Sequence, residues 1–201
     1  MSDVPDETPE GATPLDPDEA QGLRFGHVRT QGELNELEQA NIQSGLQWLA
    51  RQRKPDILSD NFVRNLHDRL FGEVWRWAGA YRLTEKNIGV DPVTISVEVR
   101  NLLDDARYWA EHGTFDPVEQ AVRLHHRLVF VHPFPNGNGR HARIFADAFL
   151  AHVHGEDAID WAGGYDLRSV SDERRQQYLA ALRAADRGDI GPLLDFAGHG
   201  R

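Results

Sequence analysis

From Thr30 onward, apolar positions recur at three- and four-residue spacing. Leu34, Leu37, Ile42, Leu46 and Leu49, with Glu38, Asn41 and Gly45 on the same face, predict a helix over residues 31–51 carrying one apolar stripe. Ser59 reads as the N-cap of a second helix, whose face Phe62, Leu66, Leu70 and Val74 repeats every fourth residue until Gly79 interrupts it. Residues 82–95 differ in kind. Thr84, Ile88, Val90, Val93, Thr94 and Ile95 favour extended backbone, punctuated by Gly89 and Asp91-Pro92, so a short β-hairpin or extended flap is expected there. Ser96 is expected to cap a helix that buries Val99, Leu102, Leu103, Ala106 and Trp109 and stops at Gly113. Asp116-Pro117-Val118-Glu119 starts the next one, with cap, first-turn proline and glutamate in agreement. That helix turns Val118, Val122, Leu128 and Val129 inward and must end before Pro133. Another begins near Gly139-Arg140 with Ile144, Phe145, Ala148 and Phe149 inward. A last helix runs from Asp172 to about Arg187, carries Tyr178, Leu179 and Leu182, and ends at Gly188. The sum is an all-α domain with one small β excursion.

Composition narrows the function. At 201 residues the chain suits one globular unit, able to bury a core without covalent staples. It has no cysteine, which excludes disulfides and thiolate metal sites and fits a reducing, cytoplasmic setting. No leader-like apolar run follows the start, and no stretch is apolar for long enough to span a bilayer. A net charge of -10 argues against direct nucleic-acid binding, since groove binders neutralise phosphates with a basic face. Residues 1–22 stand apart, with four prolines, seven acidic residues and no basic one; a mobile tail is expected, or an arm lying over the domain or a partner.

The candidate chemistry lies in the loop His132-Pro133-Phe134-Pro135-Asn136-Gly137-Asn138-Gly139-Arg140. Pro133 stiffens its entry and Phe134 can anchor it. The two Asn-Gly steps favour positive φ, so successive amides can point into one anion-binding concavity, at which the next helix aims its positive N-terminal end. Arg140 and Arg143 lie one turn apart and can reach a phosphate chain, and His132 at the rim can take a proton. This is equipment for phosphoryl or nucleotidyl transfer. By loop physics alone, an ordinary tight turn between two helices explains the glycines equally well.

The run His-Pro-Phe-x-x-Gly-Asn-Gly-Arg resembles the motif of the Fic/Doc family, and every fixed letter is matched. Trp77-Ala78-Gly79-Ala80-Tyr81-Arg82 through Lys86-Asn87-Ile88-Gly89 resembles the approach to that family's flap, and Tyr178-Leu179-x-Ala181-Leu182 followed by Gly188-Asp189 resembles its closing helix. The likeness covers most of residues 31–196. Residues 9–15 and 33–42 resemble a subgroup named mobile mystery protein B. The resemblance implies a Fic-fold helical bundle with a small β-hairpin flap. It divides the chain into the acidic tail 1–22, an N-terminal helical element 23–57 with a candidate inhibitory role, and a Fic core 58–201.

The activity implied is transfer of AMP from ATP to a Ser, Thr or Tyr hydroxyl of a target protein. His132 would be the base; Phe134, Gly137, Asn138, Gly139, Arg140 and Arg143 would hold the nucleotide; and Thr84, Lys86, Asn87 and Ile88 would form the flap that docks the target as an added extended segment. The family usually has Asp or Glu where this chain has Asn136, so Mg²⁺ or Mn²⁺ would meet a neutral oxygen there and bind less strongly. Relatives that transfer phosphate usually carry Lys where Gly139 stands, so Gly139 favours nucleotidyl transfer. An inhibitory helix in the family places a glutamate on the second motif arginine; Glu38 matches that glutamate, while Leu34 and Gln39 depart from the surrounding pattern, and a Glu38–Arg143 ion pair is the expectation. The alternative is a weakly active or non-catalytic interaction module of a mobile-element gene pair, with a helix-turn-helix partner encoded nearby. His125, His126, His132 and His141 lack the spacing of a zinc site; His125 and His126 are expected on a helix, one facing core and one solvent.

Overall fold

The computed structural model describes residues 15–161 and 172–198. Its helices are α1 (Pro17–Ala20), α2 (Gln31–Ala50), α3 (Asp60–Phe71), α4 (Ile95–His112), α5 (Pro117–Val131), α6 (Asn138–Phe149), α7 (Asp172–Asp186) and α8 (Gly191–Phe196), with a wider π-type turn at Leu150–His154 after α6. Residues 1–14 of the acidic tail lie outside the described part. Among the described residues no helix is long and apolar enough to cross a membrane.

Helix α5 is the hub, packed against α4, α6, α7 and α8, while α2 lies on α3 and α3 leans on α4 and α6. Its first turn follows from sequence: Asp116 accepts from the Glu119 amide at 3.0 Å with Pro117 just behind the cap. Ser59 caps α3 by accepting from Phe62 N–H at 3.2 Å. Between them sits a core that includes Val63, Leu66, Leu70, Val99, Val122, Leu124, Leu128, Phe134, Phe145 and Phe149. Helices α2 and α3 approach closely because position 45 has no side chain; a Cβ there would stand 2.7 Å from the Arg69 carbonyl. Asn41, on the same face, donates to that carbonyl at 3.0 Å and accepts from Glu73 N–H at 2.9 Å, satisfying backbone groups at the end of α3.

The hairpin expected over residues 82–95 does not form. Among the described residues no strand is present, only one isolated antiparallel bridge, Leu23 with Trp75. The flap has no partner strand, and its carbonyls are taken instead by a side chain: the Arg82 guanidinium donates to Thr84 O at 2.8 Å and to Val90 O. Asp91-Pro92 then opens a 3₁₀ turn (Pro92–Thr94) that runs straight into α4, and the cap is Asp91, accepting from Val93 N–H at 2.9 Å, rather than Ser96. Helix α8 was not foreseen. His125 and His126 are both buried, so neither faces solvent.

Candidate active site

The loop between α5 and α6 is tightly turned and held by its own side chains. Helix α5 stops at Val131 because His132 turns left-handed, at φ 52°, while its amide still bonds Leu128 O at 3.1 Å. Phe134 is fully buried and stacks on His67 with ring centroids 3.7 Å apart. Asn138 brackets the loop, accepting from Phe134 N–H at 2.9 Å and donating to Phe134 O at 2.8 Å. Gly137 takes φ 77° as the cap of α6, and a Cβ there would lie 2.7 Å from the Phe71 ring. Gly139 is different. It has no positive φ, and a Cβ would meet only Arg143 at 3.6 Å and Tyr178 at 3.9 Å, which is ordinary contact. The fold itself does not demand glycine at 139.

Two groups that sequence reasoning missed hold this loop in place, and two more hold the side chains beside it. His67 accepts from Gly79 N–H at 3.0 Å through Nδ1, so its proton is on Nε2, which donates to Asn136 O at 3.0 Å. Arg82 donates through Nε to His132 O at 2.6 Å, and its own amide bonds Pro133 O at 2.9 Å. Trp75 and Tyr178, described below, hold Glu38 and Arg143. The signal for Arg82 was its place within the resembling stretch; nothing in the sequence pointed to His67.

His132 is 6% exposed. Burial holds its pKa down at about 4, with the Arg82 and Lys86 charges acting the same way and a hydrogen bond to the Val129 backbone opposing them. The imidazole is therefore neutral at pH 7. A neutral imidazole keeps one ring nitrogen without hydrogen, able to accept a proton, the form a base needs.

Arg140 and Arg143 both lie inward, at 8% and 3% exposure. Glu38, itself buried, accepts from Arg140 Nη1 at 2.7 Å and from Trp75 Nε1 at 2.8 Å. The arginine that meets Glu38 is thus Arg140, one turn before the Arg143 expected. The reason is the rise of α6: Arg143 sits deeper, over the Tyr178 ring at 5.2 Å, with Tyr178 in turn at 3.0 Å from His125 Nε2. Arg140 lies over Phe71 at 4.7 Å, on the side from which α2 approaches.

On the flap, Thr84, Asn87 and Ile88 are exposed, while the Lys86 side chain is only 3% exposed and faces the carboxylates of Asp16 and Glu19. Gly89, at φ 103°, presses the flap onto the loop; a Cβ there would stand 2.7 Å from His132 Cβ. Asn136 is the one metal candidate of the sequence. Its Oδ1 already accepts from Gly137 N–H at 2.6 Å, and among the described residues no group of three or more His, Asp or Glu could hold an ion. One neutral, engaged oxygen does not make a resident metal site. A cavity of about 430 Å³ lined by Arg64, Tyr81, Arg100 and Arg107 contains none of these loop residues.

The class defined by this fold and loop is a helical domain with a neutral histidine at the mouth of a glycine-rich, arginine-backed helix N-terminus. Residues 57–150 match the sequence model of the Fic/DOC family. The chain is 28% identical over 152 residues to "Protein adenylyltransferase fic-1" of Caenorhabditis elegans, covering 72% of this chain and 27% of that protein. It is 29% identical over 149 residues to "Protein adenylyltransferase Fic" of Nematostella vectensis, covering 72% and 32%. The chain therefore spans between a quarter and a third of the length of these relatives. Among solved structures, Fic-1 of C. elegans superposes with a TM-score of 0.66 at 26% identity, over 89% of this chain and 52% of that one. BepC of Bartonella tribocorum, with bound AMPPNP, shares the fold with a TM-score of 0.67 at 18% identity, over 89% and 95%.

Proposed function

We propose that the chain is a protein adenylyltransferase that moves AMP from ATP onto a Ser, Thr or Tyr hydroxyl of a target protein. The observation that carries this reading is Gly139: neither φ nor packing requires glycine there, so the lack of a side chain at the start of α6 is best explained by close approach of a phosphate chain. In the proposed step the hydroxyl oxygen attacks the α-phosphorus, its proton passes to His132, and the bond to pyrophosphate breaks. Amides at the start of α6 hold the phosphates, and Arg140 and Arg143 balance the terminal charge. A base held at about 4 is weak, but the anionic nucleotide arriving beside it raises its proton affinity toward neutral. Mg²⁺ or Mn²⁺ travelling with ATP would be held mainly by phosphate oxygens and water, with Asn136 at most an auxiliary ligand.

The same reading makes the protein self-restrained. Glu38 occupies Arg140, so ATP must displace a buried carboxylate to use that guanidinium. Incubation with α-labelled ATP, Mg²⁺ or Mn²⁺ and cell extract tests both points. Label is expected to rise in Glu38→Gly and to vanish in His132→Ala; if Glu38→Gly changes neither nucleotide affinity nor labelling, the restraint is disproved. Lack of label in every variant and with either metal, together with no heat of ATP binding, overturns the transferase reading. γ-Labelled ATP run alongside tests phosphate transfer.

One observation favours a second reading. Asn136 Oδ1 is held by Gly137 N–H, and this suits a weakly active or non-catalytic interaction module, here of the mobile mystery protein B type, paired with a helix-turn-helix protein that supplies the DNA binding an acidic chain lacks. A cysteine-free composition suits action in the cytoplasm under either reading.

A further inference from the structure

The described part of the acidic segment lies across the flap. Asp16 and Glu19 are brought to one side of α1 by its capping box, in which Asp16 N–H donates to Glu19 Oε2 at 2.9 Å. Thr84 Oγ1 donates to Asp16 Oδ2 at 2.7 Å and lies 3.2 Å from Glu19 Oε1. Lys86 Nζ donates to Asp16 Oδ2 at 2.9 Å and to Glu19 Oε2. Trp77 Nε1 donates to the Glu19 carbonyl at 2.9 Å. Two carboxylates three residues apart thus converge on one ammonium and one hydroxyl, while an indole holds the backbone carbonyl of Glu19.

This docking differs from ordinary packing. Helix α1 has four residues and buries none of them, so its own turn does not hold it down, and the core reaches only its flanks at Leu15 and Leu23. The polar contacts to the flap hold it, helped by the short backbone bridge in which Arg24 N–H bonds Val74 O at 2.9 Å and Arg76 N–H bonds Gly22 O at 2.9 Å. A buried ammonium requires counter-charge, and here the counter-charge comes from a segment about seventy residues away. The face it covers adjoins the base, since Gly89 on the same flap stands against His132. Leu83 and Ile88 flank it and remain exposed, at 91% and 42%.

We propose that the Trp77–Thr84–Lys86 face is a docking site for an acidic peptide, filled in this chain by its own Asp16 and Glu19, and that the target segment enters by replacing them. The target would present two carboxylates about one helical turn apart, with apolar residues beside them for Leu83 and Ile88. Only the role of the incoming peptide as target rests on the transferase reading; the docking does not. On a chain of net charge -10, attraction for carboxylates at this one place is local, so the short peptide must match it group by group.

The test is fluorescence anisotropy with a labelled peptide of residues 15–24 and with the same peptide carrying Asp16→Asn and Glu19→Gln. The proteins are the full chain, its Asp16→Asn/Glu19→Gln variant, and that variant with Lys86→Met or Lys86→Arg added. The double variant is expected to bind the acidic peptide at least tenfold more tightly than the unaltered chain. Lys86→Met should return binding to the unaltered level, Lys86→Arg should keep most of it, and the neutral peptide should not bind. Binding no better in the double variant, or unchanged by Lys86→Met, overturns the proposal. The arginine variant guards against loss through misfolding. Labelling from α-labelled ATP on the same proteins separates the two readings: peptide binding intact with no transfer in any variant refutes the transferase and leaves the docking site standing.

Discussion

Lowering the pH from 7.5 to 5 should destabilise this fold through its buried histidines. His132 and His141 are 6% and 0% exposed, and burial first, in each, holds the pKa at about 4 against an ordinary 6.5. Between those values the unfolded chain binds protons that the folded chain refuses, so stability is complete above about pH 6.5 and is lost as pH falls toward 4. At pH 5 each group has spent about 1.5 pH units below its unfolded pKa, roughly 2 kcal/mol apiece at 1.36 kcal/mol per unit. The pair thus removes about 4 kcal/mol from a domain whose total is of order 5–15 kcal/mol. His67 and His125, fully buried and also held well below the usual histidine range, act in the same direction. Protonation of His67 would put a second N–H against the Gly79 amide it now accepts from, loosening the loop it supports at Asn136. Urea unfolding at pH 7.5, 6.0 and 5.0 measures the effect. His141→Gln should lower stability at every pH yet lessen the acid-induced loss by about 2 kcal/mol, since one titrating group has gone. A midpoint unchanged from pH 7.5 to 5, or a pH slope unaltered in His141→Gln, would refute the reasoning.

Three substitutions follow from the same geometry. Gly137→Ala adds a methyl 2.7 Å from Phe71 at a left-handed backbone position; about 2–4 kcal/mol of stability should be lost in thermal unfolding, with ATP affinity falling too. Arg82→Met strips the hydrogen-bond donors from His132 O, Thr84 O and Val90 O, so limited proteolysis should cut first within residues 83–90, at least tenfold faster than in the unaltered chain, and equal cleavage rates would discount the clamp. Gly45→Ala forces α2 away from Arg69 O and should cost about 1–3 kcal/mol in urea unfolding, more than Gly26→Ala, where a Cβ meets nothing.

The helices were legible because their signals are local. Asp116-Pro117 and Ser59 cap where the sequence placed them, and the apolar stripe of residues 31–51 became α2 (Gln31–Ala50). The flap was misread because β-branched residues predict extended backbone without saying what will pair with it. Here a single arginine 2–8 residues away took the carbonyls, and side-chain clamps leave no period in a sequence. Loop residues 132–140 were readable from their motif, and Glu38 from resemblance. Its partner was not: whether Arg140 or Arg143 faces α2 depends on the rotation of α6 about its axis, a tertiary quantity. His67 escaped notice for a similar reason, as it looks like one more residue on the inner face of α3 until the fold sets it under Asn136.

The left-handed backbone at His132 ties two requirements to one residue. Ending α5 there would be easiest for glycine, whereas the proton transfer proposed for His132 needs an imidazole, and the position holds a side chain that its φ of 52° disfavours. Selection for a sturdier fold and selection for a base pull against each other at this position. A concrete mark of that conflict is that His132→Gly should be more stable than His132→Ala by about 1 kcal/mol, though both lack the base. An evolving lineage that abandoned chemistry and kept only the interaction surface would then be free to relax this turn, and loss of the histidine to glycine would be the natural first step.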